Sequence, residues 1–507
     1  MTHINFNNLF IFDLANNHQG DVNHALNIIR EIGKICKEEN INGAFKFQFR
    51  QLDTFIHPDF KNNKDVKHIP RFISTALSIT DYKKLKDEVI KQGMISMCTP
   101  FDEESVDVIL DLDIDIIKIA SCSADDKPLL EKVSNTGRPV VISTAGLHLN
   151  QIDWIVSFFE SKEIKFALMH CVAIYPTPND KLNLNQIDLL KSRYPDIPIG
   201  FSTHEDPDNL FAVKMAFSKG AKLFERHVGI SNEKYQLNKY SSTPEQIKKW
   251  IKSFKDAEIA CGGEERSPAP IEEIESLRSL KRGVFAKKDI KKGKIISTDD
   301  VFFAMPLQEN QLTSGEWHDN ITADKDYKKN NPISEKVGLS KTSKDELIYR
   351  IMLQVKGILN NARIFVNDDA SIEISHHYGL ERFREYGAVI ISCINRTYCK
   401  KLIILLPRQK HPYHYHKKKE ETFQLLYGDM ELEIDGKRYK MKPGDIFPVL
   451  KEKWHKFHTL DGAIFEEVST THLLNDSYYE DPNIAKLKLD DRKTNVDSWA
   501  KALKWRF

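Results

Sequence analysis

At 507 residues with 41% hydrophobic side chains, the chain is long enough for about two to four domains, each with a buried core. Lysine and arginine (74) balance aspartate and glutamate (73) to a formal net charge of +1, so no global field favours nucleic acid or an acidic membrane, and any anionic ligand has to be held locally. No stretch approaches the ~20 apolar residues of a membrane span, the opening MTHINFNNLFIFDLA lacks the basic region of a signal peptide, and the seven scattered cysteines read as reduced core thiols of a cytoplasmic protein.

From residue 9 to 228 short apolar runs alternate with longer segments of helical period. The runs LFIFD, GAFKFQF, MISMC, DIIKIAS, PVVIS, KFALMH, IPIGFS and KLFERH are strand candidates, and segments such as VNHALNIIREIGKICKEEN and DYKKLKDEVIKQG lie between them. Eight βα units in about 260 residues predict an α/β fold, a closed (β/α)8 TIM barrel over 1–265. An inward-facing barrel strand should stay apolar until its carboxyl end, and here nearly every strand ends in chemistry. Asp13 closes the first; Lys46 and Gln48 lie on the second; Thr99 follows the third; Lys118 and Ser121 mark the fourth; Ser143 and Thr144 end the fifth. His170 ends the sixth, Ser202 and His204 the seventh, and Glu225 and His227 the eighth.

One such residue alone is more often a satisfied polar core group; the set together is harder to explain that way. Two lysines with serine hydroxyls suit a phosphate or carboxylate. His204 and His227 end neighbouring strands, where their imidazoles can share one divalent metal, and Asp13 can serve as a base. Glu225 is placed on the same rim with no role assigned.

The stretches DLANNHQGD, FKFQF, CTPFDEESV, IKIAS, VISTAG, LMHCVAIYPTP, IGFSTHE and FERHVG, in order across residues 10 to 230, resemble the N-acetylneuraminate (sialic acid) synthase family. The resemblance implies condensation of phosphoenolpyruvate with an N-acylated amino hexose to a nonulosonic acid, with release of phosphate. It implies that Lys46, Lys118, Ser121 and Ser143 hold phosphoenolpyruvate, with Lys46 and Lys118 catalytic and Gln48 a further substrate-binding residue. It further implies that His204 and His227 ligate Mn2+ or a similar ion, and that Asp13 stands where the family has a glutamate active in water activation. Three further positions depart from the family: Ala173 where a polar group is usual, Thr203 in place of an aspartate, and Met305 in place of a basic residue expected to reach the partner subunit's sugar.

After the polar linker GGEERSPAPIEE, Ser276 to Pro306 is similar to the family's SAF (antifreeze-like) domain, placed with its linker at 266–345; the resemblance implies a homodimer with this domain over the partner barrel. Further on, AVIISCI, KLIILLP, TFQLLYG, MELEIDGKRYKMKPGDIFPV and AIFEEVS predict a small antiparallel β-barrel at 360–475, with a tail at 476–507. This part resembles the cupin superfamily, whose first motif is met by His414, His416, Glu421 and Gly428 and whose second by Pro443, Gly444, Asp445 and His455. Alternation along the strand puts His414 and His416 on one face, and with Glu421 and His455 they form a candidate three-histidine, one-carboxylate site for a second divalent metal, Zn2+, Mn2+ or Fe2+. Lysines 417 to 419 read as a solvated turn, and His376, His377, Glu381, Arg396 and Lys400 are candidates for a sugar ligand. Two alternatives stay open: a cupin-based sugar isomerase, and a sugar-binding protein on a degenerate synthase barrel.

Overall fold

Eight parallel strands close into a barrel in sequence order: β1 (Leu9–Asp13), β2 (Asn42–Phe49), β3 (Ile95–Pro100), β4 (Ile116–Ile119), β5 (Val140–Ser143), β6 (Phe166–Cys171), β7 (Ile199–Ser202) and β8 (Leu223–His227). Every expected strand is present. The computed structural model describes residues 4–498 apart from 62, 64, 203, 264–265, 320, 339–343, 474 and 497, so Thr203 lies outside the described residues. It divides into two units, Met1–Pro268 and Ala269–Phe507. Among the described residues no helix is long and apolar enough to cross a membrane.

The helices between the strands follow from their sequence. Val22–Glu38 starts at Asp21, whose carboxylate accepts from the His24 amide, and buries Ala25, Ile28, Ile29, Ile32 and Ile35 at helical spacing. Those side chains join the outward-facing residues of the strands, such as Phe10, Phe45 and Ile117, in the core between the barrel and its helices. Burial of one such side chain contributes about 1.5–3 kcal/mol. Inside the barrel a second apolar cluster contains Leu9, Ile11, Ala44, Met97, Ile116, Val141, Ala167 and Leu223. Strand alternation continues each inward series toward the carboxyl end: Ile11 leads to Asp13, Ala44 to Lys46, Ile116 to Lys118, Val141 to Ser143 and Leu223 to Glu225. A closed apolar floor therefore lies beneath a charged layer.

In the second unit, Gly283–Ala286 pairs antiparallel with Val301–Ala304, and Ile295–Ile296 with Ile321–Thr322. They share a small core that includes Val284, Val301, Leu312, Ile321, Tyr327 and Ile333. The cupin follows as a seven-stranded and a five-stranded sheet. Its long strands are apolar on both faces, which is why KLIILLP reads as a continuous run: Leu402 and Ile404 pack under the helix Lys344–Asn361, while Ile403 and Leu405 face the interior with Phe423, Phe457 and Phe465. In the stretch expected as a tail, Lys493–Val496 instead pairs with Ser371–Ser375 at the end of the seven-stranded sheet, where it satisfies backbone groups that an edge strand would leave open.

Candidate functional site

The register of the barrel places Asp13 beside Lys46 on one side and His227 on the other. The Lys46 ammonium lies 3.1 Å from Asp13 Oδ2 and donates to Glu225 Oε1 at 2.5 Å. Lys118 donates to the Ser143 hydroxyl and stands 3.6 Å from Glu225 Oε2, an oxygen that makes no hydrogen bond. All five of these side chains are at most 6% exposed. Burial would lower the Lys46 pKa, but Asp13 and then Glu225 outweigh it and hold the ammonium charged. Lys118 is pulled below its ordinary value by burial, which Glu225 only partly offsets. Burial would raise the Glu225 pKa; Lys118 and Lys46 overcome that and hold it ionised. The layer is thus a small buried ion cluster in which Lys46 and Lys118 share Glu225 as a counter-charge.

Around this layer the polar rim is organised by hydrogen bonds. Gln48 Nε2 donates to Asp13 Oδ2 at 3.2 Å, and the Ala15 amide to Asp13 Oδ1 at 2.9 Å. Arg50 donates to Gln48 Oε1 at 3.1 Å, its guanidinium stacked 3.6 Å from the centre of the Phe101 ring. Ser121 Oγ accepts from the Ala145 amide at 3.1 Å, tying the loop after β4 to the loop after β5. The Thr99 hydroxyl is buried and makes no hydrogen bond. His170, by contrast, is engaged 2.7 Å from the Leu182 carbonyl and serves the fold.

His204 and His227 stand with ring centres 5.3 Å apart, flanked by Tyr175 and Tyr240. His204 Nδ1 lies 3.0 Å from the Val172 carbonyl, which only accepts, so that nitrogen carries the proton and Nε2 keeps its lone pair. His227 Nδ1 stands 3.5 Å from Asp13 Oδ2, the arrangement of a carboxylate that orients a ligand imidazole. Burial lowers both histidines, His204 to about 4, so both are neutral at pH 7, the form that binds metal. Beyond them a cavity of about 360 Å³ opens among Asn16, Asn17, Arg71, His227, Asn238 and Tyr240.

The cupin gathers its site by the same alternation. His414 pairs in register with His455, and ligand atoms of His414, His416 and His455 all lie within 4.8 Å of one another. Each Nδ1 faces a backbone carbonyl: Pro412 at 3.0 Å, Asp476 at 2.6 Å and Lys453 at 3.0 Å respectively. A carbonyl cannot donate, so all three rings carry the Nδ1 proton and present Nε2 lone pairs. Glu421 Oε2 stands 3.2 Å from His455 Nε2, yet neither atom has a hydrogen bond, as expected of two groups aimed at a common point. The donor set fits a divalent ion.

Two expectations about the cupin are corrected. Lys417 and Lys418 are exposed, but Lys419 is 4% exposed and turns inward, contacting Glu421 and lying 3.0 Å from Glu467. Residues His376, His377, Glu381, Arg396 and Lys400 do not line the cavity of about 370 Å³ beside the histidines. Lys400 instead pairs with Glu466 on the other face of its strand, and His376 Nε2 stands 3.0 Å from the Thr494 hydroxyl. Its neighbour Lys401 points in, where it meets Glu467 at 3.3 Å. For Lys400 the misreading is one of strand parity.

Fold and site together define a TIM-barrel protein with a charged carboxyl-end rim, carrying a cupin. The NeuB family profile matches residues 37–266 and the cupin-domain profile residues 401–466. MJ1065 of Methanocaldococcus jannaschii is 32% identical over 292 residues, covering 57% of this chain and 82% of that protein. N-acetylneuraminate-9-phosphate synthase of Homo sapiens is 28% identical over 297 residues, covering 57% and 80%. The crystal structure of a putative spore coat polysaccharide biosynthesis protein E from Chromobacterium violaceum shares 44% identity with a TM-score of 0.63, covering 65% of this chain and 98% of that one. The chain belongs to the NeuB family.

Proposed function

We propose that the chain is a nonulosonic acid synthase that joins phosphoenolpyruvate to an N-acylated amino hexose and releases phosphate. The observation that carries this reading is the buried layer of Lys46, Lys118, Glu225 and Ser143 at the barrel's carboxyl rim, with Glu225 two residues before His227 on the same strand. Lys46 and Lys118, with Ser121 and Ser143, hold the phosphate and carboxylate of phosphoenolpyruvate. His204 and His227 would hold a divalent cation such as Mn2+, which would supply Lewis-acid polarisation of the acceptor aldehyde. Carbon 3 of phosphoenolpyruvate bonds to the aldehyde carbon as the carbonyl π bond opens to an oxygen that takes up a proton, water adds at the cationic carbon 2 and gives up a proton, and phosphate leaves from the tetrahedral adduct to give a 2-keto acid. Asp13 would take the proton of the attacking water, a role supported by its position between Lys46 and His227 and its hydrogen bond from Gln48. The name of the human relative, N-acetylneuraminate-9-phosphate synthase, supports this class of reaction. We further read the small β module as an SAF domain and the assembly as a cytoplasmic homodimer in which that module covers the partner barrel.

Phosphate release with phosphoenolpyruvate, Mn2+ and a panel of N-acyl hexosamines and their 6-deoxy diamino analogues identifies the acceptor. Replacing Lys46 or Lys118 by methionine keeps most of the volume and removes the charge. Calorimetry should then show phosphoenolpyruvate affinity lowered by about tenfold or more in each variant, the value of a charge-assisted hydrogen bond; unchanged affinity in both would remove the phosphate-site assignment.

In a second reading, favoured by the three converging Nε2 atoms, His414, His416, His455 and Glu421 hold a second divalent ion, Zn2+, Mn2+ or Fe2+, so that the cupin binds or isomerises a sugar.

A further inference from the structure

The cupin cavity holds more charge than a metal site needs. Its walls carry three lysines, Lys401, Lys419 and Lys493, and three glutamates, Glu373, Glu421 and Glu467. They are paired: Lys419 with Glu421 and, at 3.0 Å, Glu467; Lys401 with Glu467 at 3.3 Å; and Lys493 with Glu373 at 2.8 Å. The walls are therefore neutral as they stand.

A divalent ion bound by the three histidines and Glu421 upsets that balance. It would add two positive charges, with Glu421 facing it through Oε2 while Oε1 stays against Lys419, so no new negative charge enters the cavity to offset them. Lys401 and Lys419 are at most 5% exposed, so bulk water screens them little. Uncompensated charge in such a space is strongly unfavourable. A hydroxide ion in the cavity would neutralise one charge at most. A volume of about 370 Å³ is also large for hydroxide and suits a small organic ligand. Ser375 and Asn495, on the wall formed by Ser371–Ser375 and Lys493–Val496, offer uncharged hydrogen-bonding groups of the kind that bind hydroxyls.

We propose that this cavity is a binding site for an anionic sugar, a polyhydroxylated chain carrying a carboxylate or phosphate, with its anionic group held by Lys401 and Lys419. The proposal rests on the reading of His414, His416, His455 and Glu421 as a metal site, so metal content is measured separately from ligand binding.

The full chain, loaded with Mn2+ or Zn2+ and assayed for metal per chain, is titrated calorimetrically with glucose, glucuronate, glucose 6-phosphate and inorganic phosphate. The shared hexose skeleton isolates the charge, and the two anionic sugars separate carboxylate from phosphate. One or both should bind about tenfold or more tightly than glucose and than inorganic phosphate. Because the barrel rim has its own lysines, the titration is repeated with Lys401→Met, which leaves that rim untouched. Binding should fall by about tenfold or more, with metal content unchanged, and Lys401→Arg should keep it. Equal binding of glucose and its anionic forms, no binding of any probe, or unchanged binding in Lys401→Met overturns the proposal while the metal site stands. A parent chain that holds no metal in the cupin overturns both. The comparison of probes in the parent chain does not depend on how the variant folds.

Discussion

His18, 1% exposed just beyond the end of β1, shows how one buried imidazole couples pH to stability. Burial lowers its pKa from 6.5 to about 4, helped by Arg71 and then His24. The folded value is below the unfolded one, so the fold favours the neutral ring. Above pH 6.5 neither state binds the proton and the term is flat. Between 6.5 and about 4 only the unfolded chain binds it, so stability falls as pH falls, by up to about 1.4 kcal/mol per pH unit. Below about 4 both states are protonated and the slope ends. His18 Nδ1 accepts from the Gly20 amide at 3.2 Å, a bond that an asparagine oxygen can replace. His18→Asn should therefore lose about 2 kcal/mol less than the parent between pH 7 and 5 in denaturant unfolding. Parallel pH profiles would show that His18 is not perturbed. Glu225 makes a different point at the same scale. Its place at a strand end was legible, but its role as counter-charge to two lysines depends on how three strands bring their side chains to one height, which no local pattern states.

At the scale of elements, alternation made most of both sites readable. The barrel strands go from apolar to polar along one face, and His414 and His416 straddle one residue, so spacing brought these two imidazoles to one side, while His455 and Glu421 came from the likeness to the cupin motifs. It failed where both faces of a strand look alike. On Tyr398–Leu405 adjacent lysines face opposite ways, Lys400 to Glu466 and Lys401 into the cavity, and only the register with Ala463–Thr470 separates them. Lys419 looked like a solvated turn because it follows two exposed lysines, whereas its partners Glu421 and Glu467 make its burial tolerable. Gly428, the last residue of the first cupin motif, has a local cause: φ is +82°, and an added Cβ would sit 1.9 Å from the Gly462 carbonyl oxygen. Two chain turns meet there with no room for a side chain. Gly428→Ala should cost about 2 kcal/mol or more, combining backbone strain with a clash against backbone that has little freedom to move. Thermal unfolding followed by tryptophan fluorescence checks this, and a variant as stable as the parent would mean that the turn relaxes freely.

At the scale of the whole molecule, the barrel rim and the cupin cavity each contain their own charge pairs and their own histidines, in separate units of the chain. If each is a complete site, their losses are separable. His414→Ala combined with His416→Ala leaves His455 and Glu421 as the remaining ligands in the cupin, too few to hold an ion firmly. The double variant should lose one metal equivalent per chain by elemental analysis while still releasing phosphate from phosphoenolpyruvate with a preformed acceptor at close to the parent rate. A cupin that prepares the acceptor gives a distinct result, in which the double variant works with the preformed acceptor and fails with its precursor. Full metal content in the double variant would remove the cupin ligand assignment. Loss of phosphate release with every acceptor, in a variant that keeps its fold and its barrel metal, would mean that the two sites act as one.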